Sequence, residues 1–280
     1  MKLVARAPGK VNLSLLVGGL RGDGRHELLT LIESVSLADE LALSEADRDQ
    51  VVCPGVEEPN IVTRALEGVR ARGWSGPRVR IEIDKQIPIA GGMGGGSADA
   101  AAALRLAREL EPIPERAMTE LAAELGSDVP SQLEPGLTLG SGTGDVVERR
   151  APLPNHAFVI LPLPYRLSAA EVYAEADRLG LGRSALEDSG EFVNDLQPAA
   201  VSLCPAITDA LDAVRAAGAD HAAVSGSGPT VFGLFWGGDS KARADTAARE
   251  LETAKSAVPV GADFGHPYFP AQSDGADDQH

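Results

Sequence analysis

The sequence is poor in cysteine, in lysine and in long apolar runs, and these scarcities exclude several classes of protein. Cys53 and Cys204 are its two cysteines, and neither has the spacing of a metal site or a redox motif. The formal net charge of −16 argues against nucleic acid or an anionic membrane as the main partner. No apolar run is long enough to span a bilayer, and residues 1–10 lack a signal-peptide core. We therefore expect a cytoplasmic protein.

The chain has 280 residues, of which 44% are hydrophobic, as expected for an ordinary globular protein. That length predicts one large or two modest domains. The composition changes around residues 152–155, which predicts a boundary between domains 1–154 and 155–264. From His266 onward Pro, Ser, Asp and Gln dominate, so we expect residues 265–280 to form a disordered tail.

A glycine-rich stretch stands out, with five glycines in the six positions 91–96. It follows a predicted strand over 78–84 and precedes an alanine-rich helix that we expect Ser97 to cap. In such a loop the free N–H groups and the helix dipole both point at an anion, which favours phosphate. The predicted phosphate cradle consists of Pro88, Ile89, Ala90, Gly91, Gly92, Met93, Gly94, Gly95, Gly96, Ser97 and Ala98.

This loop matches neither of the two common glycine-rich phosphate-binding motifs, the Walker A loop and the Rossmann G-x-G-x-x-G motif. No Gly-Lys-Ser/Thr follows it, and no acidic residue lies at the Rossmann distance. The alternative interpretation is a flexible linker. A linker is not followed at once by a capped helix, so the context favours phosphate binding.

The rest of the N-terminal half predicts strands and helices in alternation. We expect two strands within Lys2–Leu20 on either side of residues 7–10, and a turn at 21–25 that makes Val11–Leu20 and Leu28–Leu37 neighbours. Asn60 is expected to cap a helix that Gly73 ends. A helix over Pro114–Leu125 and a hairpin over Leu137–Arg150 follow.

The C-terminal half predicts an α+β sandwich, with helices on one antiparallel sheet. Its clearest local signal is the capping box Ser168-Ala169-Ala170-Glu171, which opens a helix through Leu179. The other expected elements are a strand over Ala157–Leu163, helices within Asn194–Gly218, strands within His221–Trp236, a helix over Asp239–Ser256 and a closing strand over Val258–Phe264.

Two charged residues have both a structural and a functional interpretation. Lys10 follows a Pro-Gly bend before a strand, where a lysine is usually solvated, yet the chain has only five lysines against twenty arginines. Asp128 lies in a turn, where an aspartate usually caps the next helix, here Val129–Leu133. The residues by themselves leave both alternatives open.

Three stretches together resemble the GHMP kinases: Pro8–Leu13, Gly91–Ser97 and Val224–Gly228. Further segments, 21–28, 125–130 and 194–198, are similar to the members of that superfamily that phosphorylate 4-diphosphocytidyl-2-C-methyl-D-erythritol in non-mevalonate isoprenoid synthesis. The resemblance implies a two-domain α+β fold. Its N-terminal domain would be like ribosomal protein S5 domain 2, and its C-terminal domain would be a ferredoxin-like α/β sandwich.

The resemblance also implies the chemistry. ATP with Mg²⁺ would donate a phosphoryl group to the 2-hydroxyl of the cytidylyl-linked substrate, with the glycine loop as the ATP site. The catalytic pair would be Lys10 and Asp128, and no metal ligands are assigned. Substrate binding would fall on Asn12, Arg25, His26 and Tyr173.

The chain departs from this family at three positions. Arg25 replaces an aromatic residue that stacks on cytosine, Ala98 replaces a second loop serine, and Ala169 replaces a threonine. Two alternatives remain open: a GHMP kinase for another small alcohol, and a non-catalytic nucleotide-binding relative. The Arg25-His26 turn argues against the first, and intact Lys10 and Asp128 argue against the second.

Overall fold

The structure, a computed structural model, describes residues 2–56 and 60–270 of the chain. The N-terminal half forms one sheet with helices packed on it. Its elements are β1 (Lys2–Leu20), β2 (His26–Glu45), β3 (Gln50–Val52), α1 (Ile61–Ala71), β4 (Val79–Asp84), α2 (Gly95–Leu110), α3 (Glu115–Leu125), α4 (Val129–Gln132), β5 (Leu137–Ser141) and β6 (Val146–Arg149).

Strand β2 organises this sheet. It pairs with β1 along almost its whole length, from Lys2 opposite Ser44 to Leu20 opposite His26. The strand order is β3-β4-β2-β5-β6, with β1 also on β2. The prediction of two strands within Lys2–Leu20 was wrong, because the chain passes the Pro-Gly bend as a register shift between Pro8 and Lys10 inside one strand.

The C-terminal half forms a second, four-stranded sheet in the antiparallel order β10-β7-β9-β8. Counted within this half, that order places the fourth strand beside the first and the third beside the second, as the predicted ferredoxin-like sandwich requires. Its elements are β7 (His156–Leu161), α5 (Ala169–Leu179), α6 (Gln197–Leu203), α7 (Ala206–Ala216), β8 (His221–Val224), β9 (Val231–Trp236), α8 (Ser240–Glu250) and β10 (Lys255–Ala257).

The second sheet is buried on both faces, and the alternation along β7 shows how. Val159 points into a cluster with the helices of its own half. Phe158 and Ile160 point the other way and pack with Val11 and Met93 of the N-terminal half. Since successive strand residues face opposite sides, one strand holds both halves together. The glycine loop is fixed to this interface by Met93.

Helix α2 is buried on nearly every side, which explains its alanines. Residues 98–107 are all buried, and α2 packs on β1, β2 and α1. Small side chains let these elements approach the helix closely, and alanine has the highest helix propensity. The alanine run thus places the first turn of α2 rigidly beside the glycine loop.

Two expectations near the C-terminus were wrong. The last helix ends at Glu250 rather than Ser256, and the closing strand is Lys255–Ala257 rather than Val258–Phe264. Residues 262–265 form a 3₁₀ helix instead. At the start of the expected tail, the backbone of Tyr268 pairs with Val4 on β1. The rest of that tail, 271–280, lies outside the described residues.

In the described part of the chain, no helix combines the length and apolarity needed to cross a membrane.

Candidate active site

The glycine loop ends in a left-handed residue that starts α2. Gly94 is the N-cap with φ 66°, and the helix begins at Gly95. The prediction that Ser97 caps this helix was therefore wrong, because the turn at Gly94 starts the helix earlier and leaves Ser97 in its first turn. The first intrahelical bond runs from Ala98 N–H to Gly94 O at 2.8 Å. The N–H groups before Ala98 have no intrahelical acceptor, which suits an anion.

A cavity of about 420 Å³ lies in front of this loop. Residues 88–97 line it together with Val56, Asn60, Ile61, Lys85 and Asp99. Of the predicted ATP-binding residues, Ala98 is absent from the lining, and it is buried in the core. The cavity therefore joins the glycine backbone and the N-terminus of α2 in one concave site.

Lys85 and Asp99 were not identified from the sequence. Lys85 Nζ donates to Asp39 and, at 2.7 Å, to Asp99, so two carboxylates share one ammonium group. Burial raises the pKa of Asp99 to about 7; the Lys85 charge opposes this shift, and Asp39 adds to it. Burial would lower the pKa of Lys85, but the two carboxylates outweigh it and raise that pKa. The sequence signal that could have identified Lys85 is its position directly after β4 in a chain with few lysines.

Lys10 is buried and does not have the solvated position of an ordinary strand-end lysine. Its Nζ donates to Asn12 Oδ1 at 2.5 Å and to Gly92 O at 2.8 Å. Its backbone N–H donates to Met93 O at 3.0 Å. Two of these bonds, to Gly92 O and Met93 O, attach the lysine to the glycine loop and fix its ammonium group beside the loop backbone.

Asp128 faces Lys10 across the site. Its Oδ2 lies 3.7 Å from Lys10 Nζ, with the two side chains 30% and 5% exposed. Asp128 occupies the N-cap position of α4, but its side chain makes no capping hydrogen bond there. Within the described residues, the carboxylate is thus directed at the lysine, and the cap interpretation of this residue is wrong.

A second turn of small residues closes the site from the C-terminal half. Ser225 Oγ donates to Gly92 O at 3.0 Å. A Cβ on Gly226, which has φ 58°, would lie 3.2 Å from Lys10 Nζ. Asn194 Nδ2 holds this turn by donating to Gly226 O at 2.8 Å. A side chain at Gly226 would therefore crowd the lysine.

A further cavity of about 170 Å³ contains both Lys10 and Asp128. Asn12, Thr30, Ala169 and Tyr173 also line it. Both ends of the Asn12 amide are used, since Nδ2 donates to Thr30 Oγ1 at 2.8 Å. Burial, with a smaller contribution from the Asp128 charge, raises the pKa of Tyr173 to about 12, so its hydroxyl is neutral.

Neither His26 nor Arg25 lines this cavity, and the two residues have different surroundings. The His26 ring stacks on Tyr173 with centroids 5.5 Å apart and planes at 14°. Its Nδ1 lies 3.0 Å from Gly18 O, and its Nε2 lies 3.2 Å from Asp177 Oδ1. The Arg25 side chain is 61% exposed and donates to Asp23 Oδ2 at 3.2 Å.

The structure thus brings the glycine loop, Lys10, Asp128, Asn12 and Tyr173 together around two adjoining cavities. His26 joins them through Tyr173, whereas Arg25 stays on the surface of its turn. Among residues 2–56 and 60–270, no three His, Cys, Asp or Glu side chains are grouped closely enough to hold a metal ion.

Comparisons with known proteins show which family the chain is similar to. The family model for the GHMP kinases N terminal domain matches residues 60–136, and the one for the GHMP kinases C terminal domain matches residues 170–257. The chain is 38% identical to the 4-diphosphocytidyl-2-C-methyl-D-erythritol kinase of Streptomyces avermitilis, over 92% of this chain and 97% of that one. It is 42% identical to the enzyme of the same name from Mycolicibacterium smegmatis, over 81% and 80%.

Solved structures give the same result for the fold. A crystal structure of 4-(cytidine 5'-diphospho)-2C-methyl-D-erythritol kinase superposes with a TM-score of 0.78 and 32% identity, and covers 92% of this chain and 99% of that one. Mevalonate kinase of Methanococcus jannaschii superposes with a TM-score of 0.64 at 11% identity, covering 93% and 98%. The second similarity concerns the fold alone.

Proposed function

The chain belongs to the GHMP kinases, and from that premise we propose that it transfers the γ-phosphoryl group of ATP to the 2-hydroxyl of 4-diphosphocytidyl-2-C-methyl-D-erythritol. Relatives named 4-diphosphocytidyl-2-C-methyl-D-erythritol kinase match the chain over most of their length. The observation that carries the proposal is the convergence of Lys10, Asp128 and the glycine loop between a nucleotide-sized cavity and a smaller acceptor cavity.

The nucleotide half of the site would bind ATP phosphates through backbone N–H groups. Gly92 and Gly94 have φ values of 78° and 66°, a conformation that glycine adopts without strain. The N-terminus of α2 adds its dipole. Fixed donors of this kind stabilise charge on the transferring phosphoryl group without reorganising during the reaction.

The acceptor half would supply a base and a positioned cation. Asp128 accepts the proton of the substrate hydroxyl as the hydroxyl oxygen bonds to the γ-phosphorus, while the bond from that phosphorus to the β–γ bridging oxygen breaks and ADP leaves. Lys10, fixed by Asn12 and Gly92, orients that hydroxyl and stays close to the incoming phosphate. A loose phosphoryl-transfer transition state needs positioning and charge neutralisation more than covalent participation, which suits this pair.

Magnesium would enter with the nucleotide and neutralise charge on the β- and γ-phosphate oxygens. Oxygen ligands suit this ion, and the nucleotide cavity offers the Ser97 hydroxyl and the Asp99 carboxylate. Within the described residues, Asp99 Oδ1 is buried without a hydrogen-bond partner, so no donor of the protein would compete with an ion for that oxygen.

The substrate would extend from Asp128 along Tyr173 toward His26 and Arg25. Tyr173 lines the acceptor cavity and stacks on His26, which gives a flat surface for a base. We place the boundary between the two proposed domains at residues 154 and 155, between β6 and β7. We also assign the chain to the cytoplasm, with no nucleic acid or membrane partner.

A screen of ADP release tests the proposal. The purified protein is supplied with ATP and Mg²⁺ and, in separate reactions, with the cytidylyl substrate, homoserine, mevalonate or galactose. We expect turnover with the cytidylyl substrate at a kcat/KM far above the other three. Turnover with another alcohol would replace the proposed substrate, and no turnover with any would favour a non-catalytic nucleotide-binding role.

A further inference from the structure

Arg105 is a buried arginine that the proposed mechanism does not use. It lies on α2 and is 6% exposed. Burial, with a smaller contribution from the Arg108 charge, lowers its pKa to about 9, so the guanidinium is still a cation at neutral pH. In the described part of the chain, Arg105 forms no ion pair with a carboxylate. A buried cation is costly without partners, so its hydrogen bonds have to supply the compensation.

Three backbone carbonyls from three elements accept those hydrogen bonds. The Arg105 Nη2 atom donates to Arg6 O on β1 at 2.8 Å, and Nη1 donates to Gln132 O at the end of α4 at 2.5 Å. Its Nε atom donates to Gly265 O, in the 3₁₀ helix, at 3.0 Å. Since the guanidinium is planar and rigid, these bonds fix the three elements relative to one another.

Two of these carbonyls lie close in sequence to the proposed catalytic pair. Arg6 precedes Lys10 by four residues on β1. Gln132 follows Asp128 by four residues, at the opposite end of α4. One guanidinium thus connects the strand that carries the lysine to the helix turn that carries the aspartate.

Helix α4 depends on such contacts for its position. It has four residues, and a helix of that length is not stable by itself. Its last carbonyls have no partner within the helix, and two of them, Gln132 O and Ser131 O, accept from Arg105 and Arg149. The Ser131 hydroxyl donates in turn to Asp128 O at 2.8 Å. The bonds at the end of α4 are therefore linked to the backbone of the aspartate.

Packing alone does not hold this end of α4. Val129 is buried in the core of the N-terminal half. Pro130 and Leu133, however, line a cavity of about 560 Å³ together with Arg105 and Arg149. A cavity provides no packing atoms, so the helix turn has space to move when its hydrogen bonds are lost.

From these contacts we propose that Arg105 is a positioning residue for phosphoryl transfer, which sets the distance between Asp128 and Lys10 by connecting the end of α4 to β1. The role of the pair rests on the proposed function. Lys10 is also fixed through Gly92 and Met93, whereas Asp128 belongs to a single helix turn. Loss of Arg105 should therefore displace the aspartate. A displacement of about 1 Å can lower a rate by up to about a hundredfold.

The test is a double-mutant cycle between Arg105 and Asp128. Arg105→Met removes all three hydrogen bonds. Arg105→Lys keeps the cation and should fold even where Arg105→Met does not, but one ammonium group cannot bind three carbonyls from three elements. In both variants we expect kcat with the cytidylyl substrate to fall about tenfold and KM for ATP to stay within about twofold.

The Asp128→Asn background identifies the residue through which Arg105 acts. There, neither Arg105 substitution should lower kcat further, because the group that it displaces no longer acts as a base. Single-turnover formation of the phosphorylated product measures the low rates of this background. A general loss of structure would instead lower kcat by the same factor in both backgrounds, and that result would overturn the inference. A kcat of Arg105→Lys near the wild-type value would overturn it as well.

Arg70→Lys is the matched control. Arg70 also donates to backbone carbonyls, Gly76 O and Pro77 O, and its side chain is 19% exposed. These residues line neither cavity of the candidate active site. The control should lose stability in urea unfolding and keep kcat within about twofold. If it lowers kcat as much as Arg105→Lys does, lost stability explains both results and the inference is wrong.

The inference and the proposed function can fail separately. If wild type phosphorylates another alcohol, the proposed substrate is wrong, and the same cycle with that alcohol supports or overturns the role of Arg105. If wild type turns over no alcohol, both are refuted.

Discussion

Asp128 Oδ2 lies 3.7 Å from Lys10 Nζ, although 118 residues separate the two in the sequence. Asp128 comes from the turn before α4, and Lys10 is fixed by Asn12 and Gly92. Their separation leaves space for a hydroxyl group to contact both. The first prediction follows from this pair.

Asp128→Asn should keep the fold and lower kcat by about a hundredfold or more, as expected when a general base is removed. The amide has nearly the same shape, and no capping bond to α4 is lost in the described structure. Steady-state kinetics with a circular dichroism spectrum measure both effects. Asp188→Asn, in an exposed loop, is the control. A kcat near the wild-type value would remove Asp128 from the reaction.

A substitution at Gly94 tests the role of the glycine loop. With a suitable control, the effect of a new contact with Lys10 can be separated from the effect of backbone strain. A Cβ at Gly94 would lie 3.1 Å from Lys10 Cγ and Cε, and φ there is 66°. We expect Gly94→Ala to lower kcat/KM by at least about tenfold, because it displaces the Lys10 side chain in addition to straining the turn. Kinetics and calorimetry with a non-hydrolysable ATP analogue measure the effect.

Gly73→Ala is the matched control for that variant. Gly73 has φ 87°, but a Cβ there would meet nothing within 4 Å. It should lose stability by about 1 kcal/mol from the left-handed conformation and keep its activity. Equal kinetic losses in the two variants would show that strain alone, and not the contact with Lys10, explains the result. A substitution at Gly95 would not test the contact with Lys10, because a side chain there would point toward Ile87 and Lys85.

Features of the fold that depend on a few adjacent residues were predictable from the sequence. Ser168 and Glu171 satisfy each other's backbone donors within one turn, so the start of α5 depends on four adjacent residues. The start of α2 was missed because Ser97 is a favourable cap by composition, whereas the left-handed turn at Gly94 decides the position. Short-range signals succeed unless a loop conformation overrides them.

Contacts between distant elements were not predictable in this way. His156 Nε2 lies 2.8 Å from Glu33 Oε2, a buried pair that joins β7 to β2 across 123 residues. Lys85, Asp39 and Asp99 likewise meet from three separate elements. No spacing rule connects such residues, so Lys10 and Asp128 could be paired only through family motifs, and Lys85 and Asp99 were missed.

The Asp39, Lys85 and Asp99 cluster predicts a dependence of stability on pH. The pKa of Asp99 is raised to about 7 by burial, against an ordinary value of 3.8, so between these values the folded state holds a proton that the unfolded state has lost. The contribution of Asp99 to stability is therefore present at low pH and is lost as the pH rises toward 7.

Asp99→Asn should remove this contribution. Measured by urea unfolding from pH 4.5 to 8, the unfolding free energy of wild type should fall relative to the variant as the pH rises. In the variant, Lys85 pairs with Asp39 alone, so no second buried carboxylate must ionise. Asp84→Asn, an exposed neighbour on β4, is the control. A constant difference between wild type and Asp99→Asn across this range would contradict the prediction.

The last prediction concerns Arg25, where this chain departs from its family. The His26 and Tyr173 rings, with centroids 5.5 Å apart and nearly parallel, leave less than the roughly 7 Å that an inserted base needs. The base therefore has to lie outside this stacked pair. An exposed arginine in the same turn can cover it, since a guanidinium stacks on an aromatic face and gains about 0.5–2 kcal/mol. For that, Arg25 would exchange its bond to Asp23 for the base.

We expect Arg25→Ala to raise KM for the cytidylyl substrate several-fold with little change in KM for ATP. Arg25→Tyr, which restores an aromatic residue, should recover most of that loss. Arg21→Ala removes the same charge from the same turn, where Arg21 pairs with Glu27, and so isolates general attraction for the diphosphate. If Arg21→Ala and Arg25→Ala raise KM equally, the effect is one of charge and not of stacking. If Arg25→Ala matches wild type, the base is held by Tyr173 and His26 without it.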